Sequence, residues 1–156
     1  MVCQGTEKNA MKVTKRVGYA LRFLAELAMR PDRTTSSVHE IARRHGLSEK
    51  YLWQAASALQ KAGLVAAARG PSGGFRLART PQEITLADVI EACDGPWSDW
   101  LDGLDPAGDP IFNEVLREVG RRLATSWVAE LGRITLAQLM EKYRMQCSHI
   151  VEDFQI

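Results

Sequence analysis

SVHEIARRHGLSEKYLWQAASALQKAGLVAAARGPSGGFRLAR, residues 37–79, holds two helix starts, two helix stops and a hairpin in one run. Ser37 and Glu40 stand three apart, the spacing of a capping box in which hydroxyl and carboxylate each satisfy a first-turn N–H. The short helix they open turns Ile41 and Ala42 inward and stops at Gly46, a residue suited to a left-handed C-terminus. Ser48 can cap a second helix that runs to about Ala62, with Leu52, Ala55, Ala56 and Leu59 on one face, before Gly63 ends it. Residues 64–68 then read as a strand, RGPSGG (69–74) as a tight turn, and residues 75–78 as the returning strand. A short helix, a glycine turn and a longer helix make a helix-turn-helix. The hairpin that abuts it, with Arg69, Arg76 and Arg79 around its turn and no acid within it, reads as a wing.

Working outward, Val17, Ala20, Leu21, Leu24, Leu27 and Ala28 recur at helical spacing between Thr14 and Arg30, and Pro31 breaks the pattern. Residues 1–10 are polar and read as a disordered extension without the apolar core of a secretory signal. Beyond Pro81, Thr85 to Asp88 opens a helix to about Cys93, and residues 94–110 form a Gly/Pro/Asp loop holding Trp97 and Trp100. Asp109 and Pro110 start a long helix over about 110–132, Asp109 as cap and Pro110 in the first turn. Thr135 to Gln138 caps a last helix, and residues 146–156 are left as a tail. The expected fold is mainly α with a small β-hairpin wing: a winged helix-turn-helix over 11–80, then a linker helix, acidic loop, long dimerisation helix and C-terminal helix over 81–145.

Charge divides the chain at the same place. Residues 11–80 carry 13 Lys+Arg against 4 Asp+Glu, a net +9, whereas residues 81–156 carry 6 against 14, a net −8. The overall +1 conceals a basic half suited to a polyanion and an acidic half that is not. No apolar run approaches the roughly 18 residues of a membrane span, and three scattered cysteines (Cys3, Cys93, Cys147) make no disulfide framework, so a cytoplasmic protein is expected. No phosphate loop, nucleophile elbow or metal triad marks an enzyme. His39, His45 and His149 are scattered, and the acidic loop lacks the ligand spacing of a calcium loop.

The partner these features imply is double-stranded DNA. The helix beginning at Ser48 would enter the major groove with Ser48, Lys50, Tyr51, Trp53 and Gln54 nearest the bases. Tyr51 and Leu52 are adjacent, so one of the two packs inward. Lys12, Lys15 and Arg16 stand where phosphates would pass. In the wing, Gly70, Gly73 and Gly74 would let the backbone approach the duplex closely, Arg69 has the reach for a minor groove, and Arg76 adds charge. On the long helix, Phe112, Val115, Leu116, Val119, Leu123 and Trp127 form an apolar stripe that too little following chain can cover, so a homodimer is expected. Cys93 is the candidate for thiol redox, against the plainer reading of a small buried hydrophobe.

Val17 to Leu21, Ile41-Ala42, Gly46 to Ser48 with Tyr51-Leu52, Lys61 to Val65, RGPSGGFRLAR (69–79) and Glu83 to Ile90 together resemble the bacterial Rrf-type regulators, the IscR-, NsrR- and CymR-like family. The likeness is close over 11–95 and looser from Ile134 to Leu139. It implies a DNA-binding transcription regulator, a repressor in expectation, and a homodimer held by the long helix. It also implies control by an iron–sulfur cluster, a small-molecule effector or a partner protein. Two departures stand out. Many sensor members carry three cysteines in the loop after the linker helix, but DGPWSDWLDGLDPAGDP (94–110) has none, so no cluster is expected. Trp53 stands where members often have a glutamate that accepts from a cytosine amino group, and an indole cannot accept.

Overall fold

A computed structural model describes residues 14–30, 34–70, 73–96 and 108–153. Six helices and one hairpin follow in the order α1 (Lys15–Ala28), α2 (Val38–His45), α3 (Glu49–Lys61), β1 (Val65–Ala68), β2 (Gly74–Leu77), α4 (Leu86–Asp94), α5 (Pro110–Leu131) and α6 (Leu136–Asp153). Lys12, Trp97, Trp100 and residues 1–10 lie outside the described residues, as does most of the acidic loop.

Most helix starts are set by side chains within a turn of them. The Thr14 hydroxyl accepts from the Val17 N–H at 3.3 Å and donates to the Asp94 carboxylate, tying the start of α1 to the end of α4. Ser37 and Glu40 form the expected capping box, and the Ser37 hydrogen bonds hold the Glu40 carboxyl below its ordinary range. Gly46 ends α2 at φ 60°, a left-handed position that a side chain would strain. Thr85 with Asp88 and Thr135 with Gln138 make reciprocal caps at α4 and α6, and Asp109 accepts from the Ile111 N–H at 2.9 Å.

Ser48 departs from expectation. It occupies the N-cap of α3, but its side chain makes no cap hydrogen bond. Instead its backbone N–H points to the Tyr19 hydroxyl at 3.4 Å, so α1 supplies the anchor. The C-terminal stretch also differs, because α6 continues to Asp153 through most of what reads as a tail.

The core lies where α1, α2, α3, the hairpin and α4 meet, around fully buried Phe23, Leu24, Ile41, Leu52, Leu59, Leu64 and Ile84. Burial of each such side chain is worth about 1.5–3 kcal/mol. β1 and β2 pair antiparallel, with Val65 opposite Leu77 and Ala67 opposite Phe75. Ser36 adds a one-residue third strand, exchanging backbone hydrogen bonds with Phe75 at 3.0 and 2.9 Å. The last helix is fastened to the start of α4 where Thr85 and Thr135 bridge and Leu86 and Leu136 donate to the Ile134 and Ile84 carbonyls, both at 2.8 Å. Leu136 and Met140 thereby join the core, whereas α5 buries only Asn113 and Gly120.

Candidate nucleic-acid interface

α3 presents its apolar face to the core through Leu52, Ala55, Ala56 and Leu59, which fixes its rotation about its own axis. Lys50, Gln54, Ser57 and Lys61 therefore recur along the outward face, all exposed. Leu52 is the inward member of the adjacent pair and Tyr51 the outward one, 53% exposed. Tyr51 leans on Tyr19 of α1, ring centroids 6.0 Å apart, and Trp53 leans on Phe75 of β2 at 5.8 Å with the planes at 73°. Two aromatic rings thus flank the polar stripe, one toward α1 and one toward the wing. Ser57 and Lys61 were not singled out in the sequence, although their spacing of seven and eleven from Lys50 carries the signal.

The electrostatics of this face are basic. The one acid at the start of α3, Glu49, is paired with His39 at 3.1 Å. Lys15 and Arg16 are exposed on the first turn of α1, and Arg69 and Arg76 are exposed at the wing. Arg79 is drawn elsewhere: its guanidinium donates to the Ala62 carbonyl at 3.5 Å, closing the end of α3.

The wing glycines have a reason within the protein itself. A Cβ on Gly74 would stand 2.6 Å from the Ser36 carbonyl oxygen, and one on Gly73 would stand 2.8 and 2.9 Å from the Gly70 and Ala68 oxygens. Both positions exclude a side chain because the protein's own backbone fills the space. Gly70 has φ 120°, a conformation that L residues rarely adopt.

A buried carboxylate holds the helix-turn-helix to α1. Glu26 is 3% exposed, hydrogen bonds to Arg44 and lies 3.0 Å from His45 Nε2 and 3.6 Å from Arg30. The helical spacing of Val17, Ala20, Leu21, Leu24, Leu27 and Ala28 marks the inward side of α1 without Phe23 and Glu26, both of which are buried.

Cys93 packs in the core, 3% exposed. Burial pushes its thiol up to about 11, with Arg16 opposing the rise and Asp94 adding to it. Such a thiol is protonated at neutral pH, the form least suited to redox exchange or metal ligation. Among the described residues no three His, Cys, Asp or Glu side chains gather as a metal site.

The face of α5 is apolar and open. Phe112 is 60% exposed, and Val115, Leu116, Val119 and Leu123 lie exposed along the same helix, joined by Ile111 and Val128. Trp127 is half-buried. Among the described residues, no helix is long and apolar enough to cross a membrane.

Comparison with known proteins agrees with this geometry. A family described as iron-dependent transcriptional regulators, Rrf2, matches residues 13–142. A helix-turn-helix transcriptional regulator of Synechocystis is 35% identical over 132 residues, spanning 83% of this chain and 87% of its own. The transcriptional regulator CymR of Bacillus subtilis is 33% identical over 127 residues, 80% of this chain and 92% of its own. The structure of that protein, described as the global cysteine regulator, superposes with TM-score 0.63 over 85% of this chain and 98% of its own at 31% identity. IscR of T. potens superposes equally well, TM-score 0.63 and 32% identity over 85% of this chain and 88% of its own.

Proposed function

This chain belongs to the Rrf2 family of winged helix-turn-helix transcriptional regulators, and on that premise we propose that it represses transcription as a homodimer on an inverted-repeat operator, without an iron–sulfur cluster. The observation that carries this reading is the pairing of two faces. The outward side of α3 sets Lys50, Gln54 and Ser57 between two aromatic rings beside a basic wing, while α5 leaves an apolar face for a second copy. Two copies joined along α5 would present two reading helices to successive turns of the major groove. Lys15, Arg16 and Arg76 would neutralise phosphates, and Arg69 would enter the minor groove beside the wing.

The donor set does not fit a cluster. Cluster irons take thiolates, and of three cysteines Cys93 is buried with a raised pKa while the loop after α4 holds none. The controlling signal is then a small molecule or a partner protein rather than cluster chemistry, and burial of Cys93 weighs against a thiol switch.

Selection of duplexes from a random pool, followed by footprinting and anisotropy titration at several salt concentrations, tests the reading. A protected inverted repeat whose affinity falls steeply with salt is expected. Arg69→Ala should weaken that binding by about 1–3 kcal/mol with an unchanged melting temperature. Equal binding to scrambled duplex, or affinity indifferent to salt, would overturn it.

A further inference from the structure

We infer that Trp53 is a specificity-determining residue that reads the C5-methyl group of a thymine, so that each operator half-site carries a thymine under its indole. The inference rests on the DNA-binding reading above and adds what one side chain recognises. Leu52, Ala55 and Ala56 are wholly buried, so α3 cannot rotate to take Trp53 into the core. The indole stays half exposed, on the wing side of the stripe formed by Lys50, Gln54 and Ser57.

Its position is held by aromatic packing. Trp53 sits edge-on to Phe75, which sits edge-on to buried Phe23 at 5.6 Å and 74°. Phe75 is further fixed by the hairpin ladder and by its two backbone hydrogen bonds to Ser36. A ring braced in this way loses little freedom when a ligand covers its open half, which makes it a preorganised contact.

Chemistry then selects what covers it. Indole has one donor and no acceptor, so it cannot pair with the amino groups of cytosine or adenine. Its remaining surface is apolar, and in the major groove the thymine methyl is the apolar group that a base edge presents. The surrounding surface is basic, which suits a phosphate-lined groove and not an apolar protein partner.

The test replaces each thymine of the selected operator by deoxyuridine, which removes the methyl and keeps base pairing, and titrates full-length protein against each duplex. One thymine per half-site should bind about fourfold more weakly as deoxyuridine, the worth of one buried methyl-sized group. With Trp53→Ala that difference should vanish at the same position whatever happens to overall affinity, and Trp53→Phe, which keeps a ring against Phe75, should retain part of it. Two results would overturn the inference while leaving operator binding intact: no position sensitive to deoxyuridine, or sensitivity identical in wild type and Trp53→Ala. Failure to enrich any duplex would overturn the DNA-binding reading itself, and the inference with it.

Discussion

Glu26 on α1 and His45 at the end of α2 face each other across 3.0 Å, with the Glu26 carboxylate buried and also hydrogen bonded to Arg44. The contact ties α2 to α1 immediately before the Gly46 turn. Removing the carboxylate leaves its partners part-exposed and able to find water, so the cost is smaller than for a wholly buried pair. Glu26→Ala should destabilise the fold by about 1–3 kcal/mol in urea unfolding, and Glu26→Gln by less. A Glu26→Ala midpoint equal to wild type would show the network to be ornamental.

Gly74→Ala is expected to damage the wing selectively. Its Cβ would meet the Ser36 oxygen at 2.6 Å, so either the bridge to Ser36 or the register of β2 must give. Overpacking of this kind costs about 1–3 kcal/mol. Amide exchange should speed up at Ser36 and Phe75, with operator affinity reduced. Unaltered protection at both amides would refute the account.

The open face of α5 leads to an assembly prediction. Wild-type protein should sediment as a dimer at micromolar concentration, and Leu123→Glu should give monomer or aggregate with operator binding lost. A well-behaved wild-type monomer at that concentration would count against it.

Cys93 should respond to alkali in a definite direction. Its folded pKa of about 11 lies above the ordinary 9.0, so the fold favours the protonated thiol. That contribution to stability is complete below pH 9 and is lost as pH rises through 11. In a Cys3→Ser, Cys147→Ser background, alkylation of native protein at pH 8 should be far slower than in urea. Equal rates would place the thiol outside the core.

Anaerobically purified protein should contain no stoichiometric iron and sulfide and show no visible charge-transfer band. Analysis of both elements with the absorbance spectrum decides this. A band abolished by Cys93→Ala would instead make that residue a cluster ligand.

The sequence by itself determined the order and starts of the helices, the glycine turn, the hairpin and the separation of basic from acidic halves. The reason is range: a capping box such as Ser37 with Glu40, or a left-handed stop such as Gly46, is satisfied within about one turn of backbone. The family resemblance, too, rests on such local strings. Tertiary structure decided what depends on groups far apart in the chain. Glu26 finds Arg44 and His45 eighteen and nineteen residues on, and Gly74 is glycine because Ser36 passes against it. Ser48 makes no side-chain cap and its N–H donates to the distant Tyr19 hydroxyl, and Trp53 is braced by a ring on β2. Periodicity reports which face of an element is inward, but not which distant side chain meets it there. That pairing is fixed only when the core closes, and at Trp53 it yields a rigid half-exposed ring.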